Sequence, residues 1–241
     1  MPAAFSAVTI VTLGKFDPDL FRLESLVESK VISETEANRS KVIALLPDQV
    51  AHLTFPWGDL LVLRDRLHAT ATEAPFIRIA DLVAQAMNMA DNRCSLRAFG
   101  INFEAHFDVG SMAARDALAM RFAPPDAWGE WGRTVRESMK SEKLELHGGV
   151  TALTMREWFR AGDIRGWYDV TLTSSEKVPN NTGVQFRTNH HHVYVPELPP
   201  AADLPVEEGA KRQTAALLTA LAGAFDDSIG KGERIFAEVL V

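Results

Sequence analysis

Residues 95–109 read SLRAFGINFEAHFDV, and the alternation inside that stretch decides how the rest of the chain is read. Phe99, Ile101, Phe103, Ala105, Phe107 and Val109 fall on one parity, and Asn102, Glu104, His106 and Asp108 on the other. Successive side chains of a β-strand point to opposite faces. The pattern therefore predicts a strand whose apolar face packs on helices. Its other face carries an amide, two carboxylates and an imidazole in a row.

Upstream, Pro75 opens a helix with Phe76, Ile79, Val83, Ala86 and Ala90 on one stripe, ended by Asp91-Asn92. Before it, residues 41–55 and 59–72 predict two strands joined by the turn Phe55-Pro56-Trp57-Gly58-Asp59. In the second of these, Leu61, Leu63 and Leu67 oppose Arg64, Arg66 and His68. A first strand holds Phe5, Val8, Ile10 and Val11 and stops at Gly14. Asp17-Pro18-Asp19 then starts a helix through Leu20, Leu23, Val27 and Val31. The order to residue 110 is β-α-β-β-α-β, that of a ferredoxin-like split βαβ unit with helices on one face of an antiparallel sheet.

Downstream, residues 111–122 predict a helix broken at Pro124-Pro125. Asp126 caps another whose Trp128, Trp131, Val135 and Met139 form a core stripe. Strands are expected at 143–158, 166–175 and 184–195. A proline-rich linker, Pro196 to Pro205, leads to a helix through about residue 227 buried on Val206, Ala210, Leu217, Leu221 and Phe225. The ending ERIFAEVLV reads as a last strand. The expected fold class is α+β: two ferredoxin-like units, 1–110 and 111–241, with antiparallel sheets either joined or packed face to face.

Of the 241 residues, 46% are hydrophobic and 24% charged, ordinary values for a chain that buries a sizeable core. A net charge of −7 argues against general affinity for nucleic acid or an anionic membrane surface. Cys94 is the single cysteine, which excludes an internal disulfide, a CxxC redox pair and a cysteine zinc site. The apolar start lacks a basic leader, and no apolar run reaches the roughly 20 residues that span a bilayer. The expectation is a cytoplasmic protein of bacterial type.

Glu104, His106 and Asp108 are the candidate catalytic groups. Carboxylate beside imidazole suits acid–base chemistry or an oxygen/nitrogen metal site, although a half-exposed strand alternates in the same way without any site. His190 and His192, inside Thr188-Asn189-His190-His191-His192-Val193-Tyr194, share a strand face and are the candidate metal ligands. A divalent metal is thus the only cofactor the sequence suggests. His147-Gly148-Gly149 resembles an oxyanion loop but no GxSxG elbow accompanies it, so the glycines read as a strand bend. Gly230-Lys231-Gly232 is an incomplete phosphate loop and reads as a helix cap and turn. Trp57 sits in a tight turn open to exposure. The polar loop from Ser174 to Gly183 is a candidate recognition tip.

No strong catalytic motif appears. The leading expectation is a non-catalytic binding or assembly module, forming a homo-oligomer through an edge strand or the sheet face, with an unidentified protein or small-molecule partner. The alternative is a metal-assisted hydrolase or lyase combining His190 and His192 with Glu104, His106 or Asp108. A third reading is a small-molecule sensor with a pocket lined by Phe99, Phe103, Trp158 and Trp167.

Overall fold

Alternating hydrophobicity and turn chemistry place nine strands and six helices in the described part of the chain, residues 1–90, 93–141, 147–196 and 206–241 of a computed structural model. In chain order these are β1 (Phe5–Lys15), α1 (Leu23–Glu28), α2 (Glu34–Ala37), β2 (Lys41–Leu46), β3 (Val50–Phe55), β4 (Gly58–Leu63) and β5 (Arg66–Ala71). They continue with α3 (Ile77–Ala90), β6 (Ser95–Asp108), α4 (Met112–Phe122), α5 (Gly129–Ser138), β7 (Ala152–Ala161), β8 (Ile164–Ser174), β9 (Gly183–Tyr194) and α6 (Val206–Val239).

The class is α+β with an antiparallel sheet. All nine strands form one sheet in the order β2-β3-β4-β5-β1-β6-β9-β8-β7. It runs without interruption across the 110/111 boundary, because β6 pairs along its length with both β1 and β9. Strands β5 and β6, connected through α3, flank β1. The helices α3 and α6 lie on one face, over Val8, Ile10, Phe99, Ile101 and Phe103, all fully or nearly fully buried. Among the described residues no helix is long and apolar enough to cross a membrane.

Four differences from the sequence reading have local causes. Residues 41–72 form four strands, because Leu46-Pro47-Asp48-Gln49 is itself a hairpin turn and a second one falls at Arg64-Asp65, between β4 and β5. Asp48 takes φ 57 there and Gln49 N–H bonds back to the Leu46 carbonyl at 3.0 Å. Asp17 caps only a 3-10 turn, Pro18–Leu20, with its carboxylate accepting from Asp19 N–H at 3.2 Å. The ending ERIFAEVLV continues α6, which runs straight through Gly230-Lys231-Gly232. Gly232 is small because the helix backbone approaches the sheet there. A Cβ would come to 3.1 Å from Phe103 and 3.3 Å from the Tyr168 hydroxyl. Finally, β7 begins at Ala152. Residues 142–146 of the expected strand lie outside the described residues, as do Asp91-Asn92 and linker residues 197–205.

The tryptophans reverse their expected places. Trp57 is buried, stacked on Phe55 and donating from Nε1 to Glu36 at 3.3 Å. Trp128 and Trp131 are 64% and 63% exposed and pack edge to face on each other rather than in the core.

Candidate functional site

Cross-strand register sorts the candidate residues by face. On β6, Phe99 pairs with His192, Ile101 with His190 and Gly100 with His191. His190 and His192 therefore lie on the helix-covered face with Phe99 and Ile101. Asn102, Glu104, His106 and Asp108 lie on the opposite face. The composite His190/His192/Glu104/His106/Asp108 ligand set is not assembled.

The helix-face pair is packed as rings. His190 Nδ1 lies 2.5 Å from Ser228 Oγ on α6, and that hydroxyl donates to the Ala224 carbonyl. His192 is 4% exposed, stacks on Phe99 with centroids 4.3 Å apart and meets Phe159 edge to face. Neither of its nitrogens has a hydrogen-bond partner. Burial pushes His192 down to about 3 and His190 down to about 4, so both are neutral near pH 7. Among the described residues the one group of three or more convergent metal-type side chains is Asp17, Asp19 and Asp48, far from either histidine in sequence. Its carboxylates already accept from the turn amides of Asp19 and Asp48. Phe99 and Phe103 face the helices, whereas Trp158 and Trp167 form a cross-strand pair on the open face, so these four do not line one pocket.

On the other face, the end of β6 builds a polar cluster. His106 is 2% exposed, with Phe5 edge-on against its ring. Its Nδ1 lies 2.7 Å from Ser175 Oγ. Its Nε2 makes no hydrogen bond within normal reach and faces Glu104 Oε1 at 3.8 Å. Glu104 is occupied: Lys177 Nζ donates to Oε1 at 2.6 Å and Gln185 Nε2 to Oε2 at 3.2 Å. Thr173 in turn donates to Gln185 Oε1. Burial, with the Lys177 charge second, lowers the His106 pKa against the opposing pull of Glu104. Asp108 serves a turn. Thr182 Oγ1 and Gly110 N–H both donate to its Oδ1, at 2.6 and 2.9 Å, and these bonds hold its carboxyl below the usual range.

A cavity of about 620 Å³ lies against this cluster, lined by His106, Thr173 and Gln185 of the sheet, Met112, Arg115 and Asp116 of α4, and the segments His147–Thr151 and Ser174–Lys177. Its far wall is one strapped unit. Arg115 Nε and Nη2 donate to Asp116 Oδ1 at 3.2 and 2.9 Å, and Arg115 Nη1 donates to the Asn181 carbonyl. His147 Nε2 meets Asp116 Oδ2 at 2.8 Å and its Nδ1 meets the Ser141 carbonyl at 2.9 Å. Gly148 and Gly149 make a bend before β7. Gly149 takes φ 128, and a side chain at 148 would run into Ser138.

Sequence reasoning found Glu104 and His106 and pointed at the 174–183 loop. It missed Arg115, Asp116, Ser175, Lys177 and Gln185 as neighbours of His106. The traceable signal was Ser175, whose Oγ accepts from Lys177 and Val178 N–H as a turn-capping serine does. Arg115 and Asp116 come from a separate helix and left none. No protein-family profile and no curated protein matches this chain.

Proposed function

We propose that this protein is a non-catalytic binding module whose small-molecule ligand occupies the cavity beside His106. The observation carrying this reading is a cavity of about 620 Å³, large enough for a metabolite-sized molecule, on which His106, Arg115, Asp116, His147, Lys177 and Gln185 converge. A cavity of this size with a few convergent polar groups is the default ligand site of a fold. Catalysis is the weaker reading for the same constellation. Ser175 Oγ is occupied by two backbone amides, and Glu104 is tied to Lys177 and Gln185. Neither is poised as nucleophile or base. A metal-assisted hydrolase or lyase built on the composite set is less well supported, since His190 and His192 lie on the opposite face of the sheet from Glu104, His106 and Asp108.

The reading includes assembly with further copies of the chain, in the cytoplasm. Strand β2 forms one free edge of the sheet, and its Val42, Ile43, Leu45 and Leu46 are 40–55% exposed, with Lys41 the only charge. The opposite edge, β7, carries Arg156, Glu157 and Arg160. An uncharged aliphatic edge invites strand pairing, whereas charges discourage it. We also read the β5-α3-β6 crossover around β1 as a ferredoxin-like unit enlarged by the hairpin β2–β3, with residues 111–241 as a second unit joined to its sheet.

The cavity reading is tested by thermal-shift screening of polar metabolite-sized compounds against the wild type and Thr151→Trp, which fills the cavity from its rim. Compounds that raise Tm in the wild type and not in Thr151→Trp support it. A screen whose hits stabilise both proteins equally contradicts it.

A further inference from the structure

Cross-strand register gathers a second set of side chains on the open face of β7, β8 and β9, outside the lining of the His106 cavity. Trp158 of β7 pairs with Trp167 of β8, which pairs with His191 of β9, so three rings lie in one row across the strands. The row is braced from within. Trp167 stacks on His191 with centroids 4.1 Å apart, and the Arg156 guanidinium lies 4.6 Å from the Trp167 ring centre. Arg156 is itself held as a fork on Asp169, at 2.7 and 2.8 Å. Trp158 leans edge-on against Trp167 at 5.4 Å and is 68% exposed. The row thus ends in an indole whose surface is open to solvent and whose backing is rigid. Such a ring loses little freedom when a flat ligand stacks on it.

The charges around the row are mostly of one sign. Side chains alternate along a strand, so Arg156 and Arg160 share a face with Trp158, Arg165 with Trp167, and Arg187 with His191. Asp169 is the one carboxylate at the open-face positions of these three strands, and Arg156 takes both of its oxygens. Arg165 and Arg187 are exposed and form no ion pair among the described residues. The chain's net charge of −7 therefore does not describe this face, where four arginines stand against one aspartate. Aromatic faces for bases and guanidinium groups for phosphates are what an unpaired strand of nucleic acid requires of a surface. A neutral glycan could stack on Trp158, but it gives the arginines no role and finds the Asp169 oxygens taken. A second copy of the chain would bring the same positive face against this one. We infer that the open face of β7–β9 binds single-stranded nucleic acid, with a base stacked on Trp158 and the backbone led past Arg165 and Arg187.

The test is fluorescence anisotropy of the full chain with fluorescein-labelled oligothymidylate and oligouridylate of about a dozen nucleotides, titrated over a range of salt. The expected result is saturable binding that weakens as salt rises. Trp158→Ala, at an exposed position, keeps the wild-type melting curve and loses affinity roughly 5- to 150-fold, the worth of one stacked base. Trp158→Phe, which keeps a ring, recovers most of that loss. Arg165→Gln and Arg187→Gln each flatten the dependence of log affinity on log salt by about 0.7. No binding at low salt overturns the inference. Binding that Trp158→Ala leaves unchanged, and that polyaspartate competes away as well as unlabelled oligothymidylate does, marks a general polyanion patch and overturns it too. Cellohexaose quenching tryptophan fluorescence where the oligonucleotides do not bind would reassign the row to a glycan.

Discussion

At the scale of single residues, His106 and His192 are both buried with nitrogens that lack hydrogen-bond partners, and they differ in what surrounds them. His192 is enclosed by Phe99, Phe159 and His190, rings that ask nothing of its nitrogens. His106 borders a cavity and is oriented by a hydroxyl. A buried polar group left unsatisfied costs about 1–3 kcal/mol, so both nitrogens weigh against stability and packing elsewhere absorbs the cost. The His192 pKa is lowered by burial to about 3, so between pH 6.5 and 3 the unfolded ring takes up a proton that the native ring refuses. Stability must then rise with pH across that window and fall as the solution is acidified, by an amount on the order of a few kcal/mol. His192→Phe keeps the stack and removes the proton site. Its urea-derived stability is expected to decline less between pH 6.5 and 4 than the wild type's, and parallel declines would show that His192 is not the source. A second residue-scale prediction concerns Asp116, which holds Arg115 and His147 together. Asp116→Ala removes the carboxylate that the part-buried Arg115 and His147 share and is expected to cost about 1–3 kcal/mol. A loss below a few tenths by chemical denaturation would mean that the strap contributes nothing.

At the scale of elements, α6 packs across both halves of the sheet that the β6–β9 ladder joins. Its buried residues Leu217, Leu221, Phe225, Ser228, Gly232 and Phe236 recur every three or four positions, the period of a helix face. Phe236 stacks on Phe103 of β6 with centroids 5.6 Å apart and packs on Phe186 of β9 at 4.9 Å, so one side chain bridges strands from both sides of residue 110. Phe236→Ala is expected to cost about 3–5 kcal/mol. Gly232→Leu, overpacking the close approach, should cost about 1–3 kcal/mol. Urea melts read both, and a neutral Gly232→Leu would contradict the close approach. This element also marks a limit of sequence reading. Ile235, Phe236, Val239 and Leu240 look strand-like by composition, and two glycines just before them look like a stop. Only the continued spacing from Leu217 to Phe236 carries the helix onward. By contrast β6 was legible from Phe99 to Asp108, because an apolar/polar alternation with a period of two over that stretch fits no other element.

At the scale of the whole molecule, one sheet separates two chemistries. Hydrophobic alternation assigned the faces of β6 and β9 individually, but which face of β9 shares a side with Glu104 depends on register, and register is set by pairing partners remote in sequence. For that reason the two candidate clusters were each visible and their separation was not. Trp128 and Trp131 teach the same lesson, since spacing reveals which residues share a helix face and not whether anything covers it. The sheet's unguarded β2 edge predicts a homo-oligomer in solution. Ile43→Lys, placing a charge in the middle of that edge, is expected to lower the mass measured by light scattering to that of a monomer while circular dichroism stays unchanged. A wild type that is monomeric at every concentration contradicts assembly, and an oligomer indifferent to Ile43→Lys contradicts the β2 edge. The most direct measurement of the central claim is native mass spectrometry of the protein as isolated from cells, beside Thr151→Trp prepared in the same way. The account predicts a small-molecule adduct on the wild type that is lost on mild activation and missing from the variant. Adducts of equal mass and abundance on both proteins would contradict a ligand in the His106 cavity.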